Sequence, residues 1–123
     1  MAKILVIDDS AEVCGFLCNT LSPCGHEVLS AENGKVGLEL FEKNVPDLVI
    51  VDMVMPIMGG REFIVQVRKM PIGKNTPIII ISAHVAIKEV MDLLNVGATY
   101  FLKKPYSIEE IKENVERSLL HLK

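Results

Sequence analysis

The sequence predicts an α/β fold in which one five-stranded parallel sheet is covered by helices on both faces. Three observations predict it. Short β-branched apolar runs recur along the 123 residues. Helical patterns fill the intervals between them. Three of the five runs are almost wholly apolar, the mark of strands buried on both faces of a parallel sheet.

The runs are Ile4–Ile7, His26–Ser30, Leu48–Val51, Ile78–Ile81 and Thr99–Leu102. Between the first two, Val13, Phe16, Leu17, Thr20 and Leu21 repeat at three and four residues, and Pro23 and Gly25 stop that helix. Val36, Leu38, Leu40 and Phe41 lie in a second helix. A third runs near Glu62–Met70, and a fourth near Val85–Val96 before Gly97. The last carries Ile108, Ile111, Val115, Leu119 and Leu122 along one stripe, with Ser107 and Glu110 spaced as a capping box at its start. Met70–Pro77 is loop-like. Five βα units joined by right-handed crossovers place helices on both faces of one sheet.

Composition narrows the function. The length suits a single domain over residues 1–123. Lys and Arg number 13 against 16 Asp and Glu, for a net charge of -3. That balance argues against direct nucleic-acid binding, which needs a basic surface. No apolar run approaches the ~18 residues of a membrane span, and the N-terminus does not read as a signal peptide. The expected location is cytoplasmic, and the three cysteines read as free thiols there.

The polar exceptions to the hydrophobic pattern carry the function. Ligands of an open parallel sheet bind outside the carboxyl ends of its strands. Asp8 and Asp9 follow the first strand, Asp52 the third, Ser82 the fourth, and Lys103 and Lys104 the fifth. Three carboxylates converging on one crevice repel one another unless a cation intervenes, and Mg²⁺ is the natural compensation. A nearby Lys and hydroxyl do not strengthen a metal site. They make sense if a phosphoryl group is also present, which Lys attracts and Ser donates to. Singly, each has an ordinary explanation: Asp9 or Ser82 as a helix cap, either Lys as solvated surface. The signal is their coincidence at strand ends.

At these residues the chain resembles the receiver domain of two-component response regulators, stand-alone members of the chemotaxis and phosphorelay type included. The resemblance runs through Asp8-Asp9-Ser10, Ala31-Glu32-Asn33-Gly34 and Pro46-Asp47 up to Asp52. It continues through Met55-Pro56, Gly59-Gly60, Pro77 to Ser82-Ala83, Gly97-Ala98 and Lys104-Pro105. It implies a flavodoxin-like doubly wound (βα)5 fold with strand order 2-1-3-4-5. It also implies roles. Asp52 is the phosphoacceptor, receiving its phosphoryl group from phosphohistidine on a sensor histidine kinase or histidine phosphotransfer protein. Asp8, Asp9, Asp52 and the Val54 carbonyl hold Mg²⁺. Ser82 and Lys104 contact the phosphoryl group, the Lys104–Pro105 bond being cis. Ser82 and Phe101 form the switch, read by a downstream effector protein on helix four, strand five and helix five. Val54 and His84 tune phosphoryl lifetime. Such a chain is a signalling phosphoacceptor rather than an enzyme acting on a separate substrate.

Other readings fit less well. A phosphatase of the haloacid-dehalogenase type needs Asp-x-Asp after strand one, where here the acids are adjacent. A flavin phosphate would be repelled by Asp8 and Asp9, and no Gly-x-x-x-x-Gly-Lys motif occurs. An interaction module without phosphorylation, or a receiver cut from a longer regulator, remain as alternatives. Cys14, Cys18, Cys24 and His26 do not match zinc spacing. Cys24 is expected in the core, and Cys14 and Cys18 on the outer face of helix one, the face that the resemblance implies meets a phosphotransfer partner.

Overall fold

The structure is a computed structural model that describes residues 2–83 and 86–120. It contains β1 (Lys3–Ile7), α1 (Ala11–Leu21), β2 (Glu27–Ala31), α2 (Gly34–Asn44), β3 (Leu48–Asp52) and α3 (Gly60–Lys69), then β4 (Ile78–Ser82), α4 (Ile87–Val96), β5 (Tyr100–Lys103) and α5 (Ile108–Leu120). Two single-turn 3₁₀ segments, Ser22–Cys24 and Pro71–Gly73, follow α1 and α3. All paired strands are parallel, in the order β2-β1-β3-β4-β5.

The two faces of the sheet follow from the period of two along each strand. Leu5, Ile7, Val49, Val51, Ile78 and Ile80 point to one side, where Phe41 of α2, Phe63, Ile64 and Val67 of α3, and Leu93 of α4 cover them. Ile4, Val6, Leu48, Ile50, Ile79 and Ile81 point to the other, under Leu17 and Leu21 of α1 and Ile111 and Val115 of α5. For α1 against α2, α3 and α4, the division is what right-handed crossovers demand. The chain steps one way from β1 to β2, then back past β1 to β3 and onward. The helices on those two courses therefore fall on opposite faces. Between β1 and β3 the direction of winding reverses, which opens a crevice at the carboxyl ends of these two strands.

Local chemistry sets the helix ends. Ser10 Oγ accepts from Val13 N–H at 3.3 Å and Asn33 Oδ1 accepts from Val36 N–H at 2.9 Å, so each caps a helix. The capping box of α5 is present. Glu110 N–H donates to Ser107 Oγ at 3.1 Å, and Ser107 N–H donates to Glu110 Oε1 at 3.0 Å. Asp9, which could have been the cap of α1, is not. Nor does Ser82 cap α4, whose N-cap is Ala86.

Several expectations are corrected. β2 and β5 each lie one residue later than the apolar runs suggest, and α3 begins at Gly60. Cys24 is exposed rather than in the core, because the turn that follows α1 carries it outward. Ile108 is 45% exposed, so the buried stripe of α5 begins at Ile111.

Candidate acidic phosphoryl site

The site is assembled by strand ends. Asp8 follows β1. Its N–H donates to Ala31 O at 3.0 Å, which holds it against the end of β2. Its carboxylate is almost wholly buried, with Oδ1 accepting from Ser10 N–H at 2.9 Å. Asp52 ends β3 and stands in register with Ile81 of β4. Asp9 is exposed at the mouth. One oxygen from each of Asp8, Asp9 and Asp52 lies within 4.8 Å of the others.

Lys104 enters from the opposite side. Its backbone N–H donates to Ser82 O at 2.9 Å, so the fourth and fifth strands jointly set where it begins. The Lys104–Pro105 peptide is cis, as the resemblance implies. The ammonium lies 3.4 Å from Asp8 Oδ2 and 3.4 Å from Asp52 Oδ1. One cation thus faces two carboxylates. Burial, then Asp8, push the Asp52 carboxyl above the usual carboxylate range, against the opposing pull of Lys104.

This imbalance makes a prediction for the metal-free protein. A carboxyl raised in the folded state binds protons there more readily than in the unfolded chain, so stability falls as pH rises through that window. Neutral Asn at position 52 removes the penalty. With chelator present at pH 7, Asp52→Asn is expected to be more stable than wild type. The gap should close as the pH is lowered below the unfolded Asp range. Thermal melts from about pH 3 to 8 check this, and a less stable variant at pH 7 would be contrary to the crowding of charge described here.

The donor set fits a hard divalent cation. Three carboxylates offer oxygen ligands, and the crevice is open on one side, which suits an ion that keeps part of its water. No thiol or imidazole joins this cluster among the described residues. Cys14 Sγ donates to Asp8 O at 3.4 Å, Cys24 Sγ donates to Thr20 O at 3.7 Å, and His26 Nδ1 accepts from Ala2 N–H at 3.2 Å. Each soft ligand thus has an oxygen or nitrogen partner of its own.

Other expected residues are placed as follows. Ser82 is buried at the end of β4, opposite Lys103 of β5. Lys103 itself is exposed. Phe101 is half-buried against the α2–α4 side of the core. Val54, two residues beyond Asp52, exposes 73% of its surface. The loop carrying it is fastened to α2 through Gly34 N–H and Met58 O at 3.0 Å. A Cβ on Gly34 would come within 2.7 Å of that oxygen. His84 lies outside the described residues. Cys14 and Cys18 are half-buried rather than on the outer face. Together with Asp8, Asp9, Ser30 and Glu32 they line a groove of about 560 Å³ between α1 and the end of β2. Burial pushes the Cys14 thiol up, with Asp8 adding to it.

Tyr106 was not anticipated. It lies in a second groove of about 530 Å³ with Phe16, Ala83 and Lys104. Burial, then the charges of Asp8 and Asp52, push its hydroxyl up. Its place directly after Lys104-Pro105 was the available signal.

Fold and site together define a receiver. The family model of the response regulator receiver domain matches residues 4–116. The chain belongs to that family. Chemotaxis protein CheY4 of Vibrio cholerae superposes with a TM-score of 0.93 at 34% identity, over 97% of this chain and 99% of that one. The receiver domain of Francisella response regulator 1452 does so with a TM-score of 0.92 at 31% identity, over 100% of both chains. The sensor histidine kinase CheAY of Helicobacter pylori is 36% identical over 118 residues, which are 94% of this chain and 15% of that protein. A probable transcriptional regulator, ycf27 of Porphyridium aerugineum, is 35% identical over 118 residues, 96% of this chain and 48% of that protein. The chain therefore spans less than half the length of these two relatives. No helix among the described residues is long and apolar enough to cross a membrane.

Proposed function

We propose that the chain is a Mg²⁺-dependent phosphoacceptor whose Asp52 receives a phosphoryl group from phosphohistidine. The carrying observation is the Lys104 ammonium set 3.4 Å from both Asp8 and Asp52 inside a three-carboxylate crevice. A crevice built to bind metal alone gains nothing from an ammonium. One that must also accept an anion does.

The chemistry is a balanced exchange. An Asp52 oxygen attacks phosphorus, the new O–P bond forms, and the P–N bond to the donor imidazole breaks. The leaving imidazole takes up a proton. Asp8, Asp9, Asp52 and the Val54 carbonyl would hold Mg²⁺, which would supply charge neutralisation on the phosphoryl oxygens. Asp8 is oriented for this by Ser10 N–H and Lys104. Lys104 supplies positive charge to the phosphoryl oxygens, and the Ser82 hydroxyl donates to one of them. The added group carries about -1.5 to -2 charge, enough to draw Ser82 and Lys104 inward. Phe101 repacks beside β4, and the α4–β5–α5 surface changes for its reader. The family resemblance gives Val54 and His84 the tuning of phosphoryl lifetime, and His84 lies outside the described residues.

The donor is a sensor histidine kinase or a histidine phosphotransfer protein, and the reader is an effector protein or an output domain of a longer regulator. The chain acts in the cytoplasm as a signalling component and turns over no separate substrate. Acetyl phosphate with Mg²⁺ should load one phosphoryl group on wild type and none on Asp52→Ala. A wild-type chain that stays unmodified would favour an interaction module instead.

A further inference from the structure

Arg68 makes contacts that the acidic site does not explain. From α3 it reaches the end of α4, where Nη2 and Nε both donate to Gly97 O, at 2.6 and 3.1 Å. Its Nη1 donates to Gly73 O at 2.6 Å. Gly97 terminates α4 with φ +124, its own N–H donating to Leu93 O and Leu94 O. A Cβ on Gly97 would come within 2.7 Å of Arg68 Nε, so the guanidinium occupies a notch that only glycine leaves open. The position is the negative end of the α4 dipole, where a cation is favoured. No carboxylate pairs with Arg68 among the described residues, and carbonyl oxygens alone answer its half-buried charge.

A second tie lies two turns earlier on α3. Arg61 Nε meets Asp92 Oδ2 at 2.7 Å across exposed surface, a kind of pair that contributes little in water. Among the described residues, the N-terminal end of α4 shows no comparable fastening. Its N-cap Ala86 offers no side-chain hydrogen bond, and Ile87 is 82% exposed. Among the described residues, the side-chain ties from α3 to α4 lie in the C-terminal half of α4.

We propose that Arg68 is a positioning residue that pins the C-terminal end of α4 to α3, so that α4 answers the state of Asp52 by tilting about Gly97. The trigger rests on the phosphoacceptor reading above, whereas the pin does not. Its consequence is directional: the surface offered by the first turns of α4 changes most, and the Leu94–Ala98 end stays in register with α3.

Amide hydrogen exchange on the full chain tests this, with and without Mg²⁺ and beryllofluoride as the phosphoryl probe. In wild type, the probe should alter exchange across 87–92 while 94–98 changes less than about twofold. In the free Arg68→Ala protein, exchange across 94–98 should be at least roughly tenfold faster than in wild type, and this end should become sensitive to the probe. Arg68→Lys keeps the charge but replaces the planar fork, whose three nitrogens reach Gly97 O and Gly73 O, with a single shorter ammonium. It should reproduce the loss and stands in if the alanine variant fails to fold. Unchanged protection at 94–98 in both variants overturns the pin. A uniform response along α4 in wild type overturns the tilt. Failure of the probe to bind removes the phosphoacceptor reading and the tilt together, and the free-protein comparison still decides the pin.

Discussion

Lys104→Ala is expected to move phosphoryl acceptance and metal affinity in opposite directions. The ammonium sits 3.4 Å from Asp8 and from Asp52, and it is the described cation that pairs with them. Without it, developing charge on the transferred phosphoryl group loses a preorganised partner. Loss of one such group typically costs roughly 10²–10³ in rate. The same deletion leaves three carboxylates without their counter-charge, so a divalent cation should bind about tenfold more tightly. Acetyl phosphate loading rates and Mg²⁺ titrations measure the two effects separately. Loading at the wild-type rate would remove Lys104 from the mechanism, and weaker Mg²⁺ binding would mean that the residue serves only to hold the site together.

Phe63→Ala should be the most damaging change in the frame that carries the site. Phe63 has no exposed surface and packs in the α2–α4 half of the core. It lies against the position where Gly37 lets α2 approach, since a Cβ there would stand 3.3 Å from its ring and 2.5 Å from Ile7 Cδ1. Two helices and β1 meet around this ring, so the space cannot collapse easily. A loss of about 3–5 kcal/mol is expected, which is a large part of a domain's typical ~5–15 kcal/mol. Denaturant melts read it. Phe16→Ala is the control, because Phe16 is 41% exposed and should cost less than about 1 kcal/mol. Equal losses at the two positions would contradict this account of the core.

The legibility of the sequence was uneven for physical reasons. Ile78–Ile81 and Leu48–Val51 were readable because strands buried on both faces need apolar residues at every position. Edge strands β2 and β5 bury less, as Glu27 and Lys103 show by their exposure. Their limits therefore slid by one residue. Asp8, Asp9, Asp52 and Lys104 were readable as a group because a parallel sheet must deliver its strand ends to one rim. Cys24 was misplaced because apolar character says nothing of the direction a turn takes. Arg68 left no trace, since its partners are backbone carbonyls and no side-chain pattern records them. The 3.4 Å bracket around Lys104 needs side chains from the ends of β1, β3 and β5, which only the folded register brings together.

On the reading proposed above, this crevice accepts a phosphoryl group on Asp52. Intact-mass analysis after incubation with acetyl phosphate and Mg²⁺ tests it most directly. The predicted result is addition of one phosphoryl group that hydroxylamine removes, as for an acyl phosphate, and that is absent without Mg²⁺ or in Asp52→Ala. An adduct that survives in Asp52→Ala, or a wild-type protein that gains none, would contradict it.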